Sequence, residues 1–237
     1  MENRDATYLK IKDWALDQGF SLFGVADIRP FRKDFLNLSS QLVSSFDSGI
    51  SMAVRLSGAV LEEIEDRPTL LYYHHYRQAN FFLDRLAFAL QQFIQGMGYN
   101  ALPIPASQVI DWEKQKGHLS HKEVALNAGL GWVGRNNLLV NHTYGARIRL
   151  VTVLTDLPLT HDHPVEVGCY KCKKCMEVCP AGAIKERQED FEHLECFEQL
   201  RLFRKRDHTR HYICGVCVKA CRGMKKERSG DRDQVLA

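Results

Sequence analysis

The first 168 residues of this chain contain no cysteine, and no stretch of the sequence is apolar for long enough to cross a membrane. A bilayer-spanning helix needs about 18 or more apolar residues in succession. The sequence also begins without the apolar core of a signal peptide. We therefore expect a cytoplasmic protein with no membrane partner, in a compartment where thiols stay reduced.

A strong excess of charge is also missing, because 32 basic residues face 29 acidic ones and the net charge is +3. The distribution of the basic residues is more informative than their number. They gather on both sides of the last cysteines, which favours either a solvated helix face or a surface for polyanions or for an acidic electron donor. These residues are Arg201, Arg204, Lys205, Arg206, Arg210, Arg222, Lys225, Lys226 and Arg228.

All eight cysteines lie between Cys169 and Cys221. The first four follow the C-x2-C-x2-C-x3-C-P spacing of bacterial-type ferredoxins, with Pro180 in place. In two-cluster proteins of that kind, the fourth cysteine of the run ligates the other cluster. The spacing therefore predicts one [4Fe–4S] site of Cys169, Cys172, Cys175 and Cys221, and a second of Cys179, Cys196, Cys214 and Cys217.

Two other uses of cysteine compete with iron–sulfur clusters. Structural zinc sites also contain paired C-x2-C units, but tetrahedral zinc poorly explains three successive short spacings that end in Cys-Pro. A disulfide framework is typical of small secreted chains, whereas these cysteines occupy one end of a 237-residue protein. Iron–sulfur ligation remains the favoured interpretation.

Apolar spacing predicts an α/β (α+β) body over residues 1–160, followed by a ferredoxin-like module with a basic tail over 161–237. Helical periodicity indicates helices over 5–18 and 69–97, and Ser120 with Glu123 forms a capping box before a third helix. Prolines confine the strand at 99–105 to a sheet edge. The other predicted strands are 20–26, 49–56, 137–140 and 147–154.

Gly129, Gly131 and Gly134 form a G-x-G-x-x-G pattern, with Asp156 about twenty residues further on. A dinucleotide site needs a strand before these glycines and a helix after them. The predicted order here is the reverse, because the capped helix precedes the glycines and a strand-like segment follows. We therefore expect no nicotinamide site of this type.

The segment AGLGWVGRNNLLV (128–140), followed by the two cysteine groups, resembles the epoxyqueuosine reductase family, as does LKIKDWALDQGFSLFGVADI near the start. The resemblance covers most of residues 7–223. Members of this family are cobalamin-dependent iron–sulfur enzymes related in their core to reductive dehalogenases. The resemblance implies a nitroreductase-like mixed-sheet core, with a corrinoid bound against a ferredoxin-like module that passes electrons to cobalt.

The same resemblance suggests which residues form the site. The family's proton-donating aspartate lies about thirteen residues before the alanine of AGLGW, where this chain has Gln115. We therefore consider four other side chains as proton donors: Asp111, His118, Tyr72 and Tyr76. The resemblance implies that the 128–140 loop contacts the corrinoid or the substrate, through Gly129, Gly131, Trp132, Gly134, Arg135 and Asn136.

Three functions remain open at this stage. The first is a reductase with two [4Fe–4S] clusters and cobalamin, which removes an oxygen or another leaving group from a small-molecule or tRNA-borne substrate and takes electrons from a flavodoxin or ferredoxin. The second is a ferredoxin-like electron carrier without catalysis of its own. The third is a nucleic-acid-binding protein that uses its basic C-terminal residues.

Overall fold

The computed structural model of the protein describes residues 3–223. The basic residues Lys225, Lys226 and Arg228 lie outside the described residues. No helix within 3–223 is both long and apolar enough to span a bilayer.

The described residues contain eight α-helices and six strands, together with 3-10 turns at Arg32–Asp34 and Gln188–Asp190. The helices are α1 (Arg4–Asp17), α2 (Ser40–Ser44), α3 (Gly58–Glu62), α4 (Leu70–Gly96), α5 (His121–Asn127), α6 (Lys174–Glu177), α7 (His193–Lys205) and α8 (Val216–Ala220). The strands are β1 (Leu22–Asp27), β2 (Ser48–Arg55), β3 (Ala101–Ile104), β4 (Trp132–Val133), β5 (Leu139–Val140) and β6 (Ile148–Thr155).

The main sheet has the strand order β1-β2-β6-β3, and all of its pairings are antiparallel. The expectation of a mixed sheet is therefore wrong. Strand β2 precedes α4 in the chain and strand β3 follows it, and the two strands run in the same direction, as in a parallel crossover connection. Strand β6 enters between them from much later in the chain, so each strand meets only antiparallel neighbours. The predicted edge position of β3 is confirmed.

Capping residues explain where the predicted helices begin and end. The Thr69 hydroxyl accepts a hydrogen bond from the Tyr72 amide at 3.0 Å, which starts α4. The Ser120 hydroxyl accepts one from the Glu123 amide at 3.3 Å, which starts α5. Helix α1 ends at Asp17, with Gln18 as its C-cap, and is followed by Gly19, whose φ of 98° only glycine adopts without strain.

The sheet is buried on both faces. Alternate residues of β2, such as Ile50 and Met52, face the side covered by α1 and α4, where Leu83 and Leu90 also lie. Ala53 faces the opposite side, which α5 covers with apolar side chains. Continuous burial along β2 follows from this three-layer arrangement, because both rows of its side chains pack against helices.

Loops close the outer edge of β1. The Asp162 carboxylate accepts hydrogen bonds from the Val25 amide at 2.8 Å and from the Tyr8 hydroxyl. The Asp162 amide in turn donates to the Val25 carbonyl at 2.7 Å. The segment before the cysteines is thereby attached to the body of the protein.

The cysteine-rich segment shares a core with the body. Ile213 and Val216 are buried in the same apolar cluster as Tyr72 and Ile64. The hydrophobic core therefore extends across residue 160, and the division there into a body and a ferredoxin-like module remains a prediction.

Gly24 in β1 offers a test of how closely α5 packs on the sheet. A methyl group at Gly24 would lie 2.2 Å from the carbonyl oxygen of Ala128. We expect Gly24→Ala to destabilise the protein by about 1–3 kcal/mol in urea unfolding, because the backbones must separate. The control Gly58→Ala has no neighbouring atom within 4 Å and should not be destabilising. Equal stability of the two variants would contradict this packing.

Candidate metal centre and neighbouring cavity

Cys169, Cys172, Cys175 and Cys221, which we call the first thiol group, interact with one another. Burial, together with smaller contributions from the thiols of Cys221, Cys169 and Cys172, raises the pKa of Cys175 to about 11. Burial also raises the pKa of Cys221, partly offset by hydrogen bonds from the Ala146 and Gly223 amides, and Cys169 and Cys172 again add to the rise. These four side chains are the predicted ligands of one cluster.

The other four cysteines, Cys179, Cys196, Cys214 and Cys217, form the second thiol group. Burial raises the pKa of Cys196 to about 11 and of Cys214 to about 12, and the Cys179 thiol adds to both shifts. Burial raises the pKa of Cys217 as well, with contributions from the rest of its group and from Cys175. Cys217 and Cys175 therefore bring the two groups next to each other.

Within residues 3–223, no three histidine, cysteine, aspartate or glutamate side chains are placed to share one metal ion. A [4Fe–4S] cluster makes a different demand, since its thiolates bind separate irons. The two sets of four thiols have the donor chemistry of such clusters. Cluster binding would also have to displace protons from the thiols whose pKa burial raises, which are Cys175, Cys196, Cys214, Cys217 and Cys221. The assignment of ligands to two clusters remains a prediction.

Arg135 holds the loop that carries the first thiol group. Its guanidinium donates to the carbonyls of Glu186 at 2.5 Å, Cys172 at 2.8 Å and Tyr170 at 2.7 Å. The indole of Trp132 donates to the Cys169 sulfur at 3.3 Å. The β4 turn thus fixes the first cysteine loop by hydrogen bonds to its backbone and to one sulfur.

The last cysteines are held by the body of the protein. Gly215 has a φ of 87°, and a methyl group there would lie 2.6 Å from the Tyr72 ring. The Lys219 ammonium donates to the Ile64 carbonyl at 2.5 Å, and the Arg147 guanidinium donates to the Lys219 carbonyl at 3.1 Å. These contacts seat α8, and hence Cys217 and Cys221, against α3 and α4.

A cavity of about 620 Å³ lies between α5, β6 and α8. Leucine and isoleucine side chains supply much of its wall, and the 114–117 loop covers part of it. Its polar lining includes Tyr72, His121, Lys122 and Arg149, with His193 from α7. Because it is concave and combines apolar side chains with many charged and polar ones, the cavity has features of a ligand or cofactor site.

No protein-family model matches the chain. Epoxyqueuosine reductase from Salmonella typhimurium is 49% identical over 65 residues, which are 27% of this chain and 17% of that protein. The enzyme of the same name from Lactococcus garvieae is 29% identical over 156 residues, or 63% of this chain and 41% of the other. The resemblance to epoxyqueuosine reductases is confirmed.

A reductive dehalogenase is also similar in sequence. The tetrachloroethene reductive dehalogenase of Sulfurospirillum multivorans is 32% identical over 145 residues, 56% of this chain and 27% of the relative. The chain thus spans less than half the length of each of these three curated relatives.

Solved structures show the same relationship at the level of the fold. A catabolic reductive dehalogenase in complex with 3-bromo-4-hydroxybenzoic acid has a TM-score of 0.76 at 20% identity, over 93% of this chain and 32% of its own. Epoxyqueuosine reductase from Streptococcus thermophilus has a TM-score of 0.59 at 21% identity, over 90% and 65% of the two chains. The body therefore has the fold of these enzymes.

The four predicted proton donors occupy different surroundings. Tyr72 lines the cavity. The Tyr76 hydroxyl lies 3.0 Å from the Ser107 hydroxyl and accepts a hydrogen bond from Arg149 at 3.3 Å. Asp111 accepts a hydrogen bond from the Lys114 amide and so closes its own turn. The His118 imidazole lies 2.9 Å from the Leu36 carbonyl.

Position 115 is also close to the site, although its residue departs from the epoxyqueuosine reductase pattern. Gln115 lines the cavity and has a φ of 54° within the 111–116 turn. Gln115 therefore places an amide, and not a carboxyl group, at the cavity wall.

Gly129 and Gly131 pack closely against the protein's own backbone, whereas the nearest neighbours of Gly134 are side chains. A methyl group at Gly131 would lie 2.0 Å from the Val140 carbonyl, and one at Gly129 would lie 2.7 Å from the His163 carbonyl. Near Gly134, the Asn136 amide nitrogen is buried and has no hydrogen-bond partner among the described residues. A corrinoid or substrate contact by this segment remains a prediction.

Sequence reasoning missed two residues of the cavity wall, His121 and Arg149. Arg149 donates to Asn80 and Tyr76 and stacks over the Tyr76 ring, with 4.5 Å between the guanidinium carbon and the ring centroid. The alternation of side chains along β6 could have identified Arg149 from the sequence. Alternation in β6 places Arg149 on the same side as Val151 and Val153, so a charge falls on an apolar row.

Arg135 provides a test of the loop contacts. We expect Arg135→Ala to increase protease cleavage within residues 169–187 and to destabilise the protein by about 1–3 kcal/mol, because three backbone carbonyls lose their donor. Arg29→Ala removes only an exposed ion pair with Asp27 and serves as the control. If both variants resist protease equally, Arg135 does not hold the loop.

His121 provides a test of burial at the cavity. Its ring bonds to the Thr152 hydroxyl at 2.8 Å and the Pro105 carbonyl at 3.1 Å, and burial lowers its pKa to about 4. In the unfolded chain the His121 ring takes up a proton near pH 6.5, whereas in the folded protein it does so only near pH 4. The free energy of unfolding should therefore decrease as the pH is lowered from about 6.5 to 4, and His121 should not affect it above pH 6.5. NMR titration should show a neutral ring at pH 5.5. His121→Gln should show a smaller acid-induced loss of stability.

Proposed function

We propose that this chain is an iron–sulfur oxidoreductase in which two [4Fe–4S] clusters deliver electrons to a corrinoid in the 620 Å³ cavity, for reductive removal of oxygen or another leaving group. One observation carries the proposal. Tyr72 both lines the cavity and interacts with the thiols of Cys217 and Cys214, so the second thiol group lies beside the cavity wall.

The two thiol groups would hold the clusters, and the apolar cavity wall with Lys122 and Arg149 would hold the corrinoid. When bound, a corrinoid would supply the low-valent cobalt needed for the reduction. The residues of the chain would bind the substrate, exclude water and deliver a proton. The fold and the sequence similarity to epoxyqueuosine reductases and reductive dehalogenases support this division of roles.

Among the proposed proton donors, we favour Tyr76, which lines a separate cavity with Ser107 and His211 and accepts a hydrogen bond from Arg149 in the wall of the 620 Å³ cavity. Burial alone raises the pKa of its phenol, but the Arg149 charge and hydrogen bonds from Ser107 and Asn80 outweigh burial and lower the pKa overall. A phenol that loses its proton more readily is a better proton donor near neutral pH. Tyr72 lies closer to the cysteines, yet burial raises the pKa of Tyr72.

The substrate class remains open within the proposal. One structural neighbour was solved with an epoxyqueuosine-modified tRNA stem loop, and another with 3-bromo-4-hydroxybenzoic acid. We accordingly include a tRNA-borne and a small-molecule substrate. A flavodoxin or ferredoxin would supply the electrons.

A second function is favoured by the exposure of Cys172, which would put the first cluster near solvent, as in an electron carrier. The carrier alternative assigns no role to the cavity. Retention of a corrinoid therefore separates the two functions.

The decisive experiment is anaerobic reconstitution with iron and sulfide, with and without cobalamin, followed by metal counting and EPR. We expect about eight irons per chain and a cobalamin that remains bound through gel filtration. Cys179→Ala and Cys172→Ala should each lose the signal of one cluster, because they fall in different groups. Zinc in place of iron would refute the proposal. Two complete clusters without retained cobalamin would instead support the electron-carrier function.

Tyr76→Phe tests the proposed proton donor. Turnover with an epoxyqueuosine stem loop or 3-bromo-4-hydroxybenzoic acid should fall by about 10²- to 10⁴-fold, because the hydroxyl proton is lost. Absorbance titration should also lose the tyrosinate signal that appears below the ordinary tyrosine range. Tyr73→Phe is the control, since the Tyr73 ring lies beneath Arg77. Unchanged turnover in Tyr76→Phe would eliminate this residue as the donor.

A further inference from the structure

The first cysteine loop presents an exposed surface formed by Tyr170, Lys171, Cys172, Lys173 and Lys174, which we call the YKCKK surface. Cys172 is the one exposed cysteine among the eight, and the others are buried or partly buried. If the cysteines bind clusters, the first cluster therefore has its most accessible ligand here. Electrons arriving from another protein would have the shortest route through this loop.

Tyr170 adds an apolar centre to the YKCKK surface. Its side chain is 64% exposed and its φ is 43°, a left-handed conformation that bulky residues rarely adopt. This backbone costs about 1–2 kcal/mol relative to an ordinary conformation, and the Arg135 bond to the Tyr170 carbonyl helps to hold it. The fold thus maintains a strained tyrosine that points into solvent. Exposed aromatic residues of this kind commonly anchor protein interfaces.

The charge around Tyr170 is positive. Lys171, Lys173 and Lys174 are exposed, and the Arg135 guanidinium lies behind them on the loop carbonyls. Glu186 pairs with Lys173, and Glu177 lies at the end of α6. Four cations thus face two carboxylates, and Lys171 and Lys174 have no ion pair within the described residues. Such a rim attracts an acidic partner and speeds its association.

We propose that the YKCKK surface is the docking site of an acidic one-electron carrier protein, an inference that rests on the proposed function. The carrier would be oxidised by one electron and a cluster of the module reduced by one electron, with no atom transferred. This location differs from the basic residues of α7, among them Lys205 and Arg206. That second surface is the alternative docking site and supplies a matched control.

The test compares the double variants Lys171→Glu/Lys174→Glu and Lys205→Glu/Arg206→Glu, which change the charge equally. Reduced flavodoxin is mixed anaerobically with reconstituted protein, and cluster bleaching is followed by stopped flow at several salt concentrations. We expect the YKCKK variant to react at least ten-fold more slowly at low salt and to lose most of its salt dependence. The α7 variant should react like the unmodified protein.

Binding is measured separately from electron transfer. Oxidised flavodoxin is titrated with reconstituted protein by calorimetry, and the YKCKK variant should bind at least ten-fold more weakly at low salt. Tyr170→Asn keeps the positive rim, and asparagine tolerates the left-handed backbone. We expect this variant to bind several-fold more weakly while its salt dependence is retained.

Photoreduced deazaflavin, a small neutral reductant, is the internal reference, because it should bleach the clusters of every variant equally. If deazaflavin bleaches the clusters but charge reversal at YKCKK leaves flavodoxin binding and reduction unchanged, the docking site is wrong while the clusters stand. Slower reduction of the α7 variant alone would place the site on α7. If no cluster forms in the unmodified protein, both the docking site and the proposed function fail.

Discussion

Gly215 lies so close to Tyr72 and Ile64 that any side chain at this position would meet them. Much of the site depends on this contact. It lets the segment from Ile213 to Val216 enter the core of the body, and it places α8 with its cysteines beside the first turns of α4. Tyr72 consequently has thiols on one side and the cavity on the other. A side chain between the glycine and the ring would separate α8 and its cysteines from the cavity wall.

The relation between the two thiol groups follows from how each segment is attached. The loop of Cys169–Cys179 is fixed by Trp132 and Arg135, which precede it in the chain. The last cysteines are fixed by Tyr72, Glu62 and Arg147. The body of the protein, and not the cysteine segment alone, therefore determines how far apart the two groups lie. Burial also raises the pKa of five of the thiols, so cluster binding would have to displace their protons: Cys175, Cys196, Cys214, Cys217 and Cys221.

Local signals in the sequence predicted the elements well, because periodicity and caps act over a few residues. The helices that begin after Thr69 and Ser120 are examples. The all-antiparallel sheet could not be predicted in this way, since it depends on β6 entering between β2 and β3. The similarity to epoxyqueuosine reductases was accessible because AGLGWVGR and the cysteine spacing are local patterns.

The site was only partly predictable for the same reason. The sequence showed that Trp132 and Arg135 belong to a distinctive segment, but their contacts with Cys169 and the 170–172 carbonyls arise from tertiary folding. Arg149 stood out only as a charge in an apolar strand, and its contact with Tyr76 joins residues 73 positions apart. Gly129 and Gly131 lie close to neighbouring backbone, a contact that local patterns do not reveal, and their contact with a ligand remains a prediction.

The Asp162 contact with β1 has a consequence for how this protein behaves in a crowded solution. Asp162 occupies both the amide and the carbonyl of Val25 on the outer side of β1. At the opposite edge of the sheet, Pro103 interrupts β3 with a residue that has no amide hydrogen. A strand from another molecule would therefore find a broken row of partners at either edge. The sheet is protected against growing from one molecule into the next, which is the usual first step of β-aggregation.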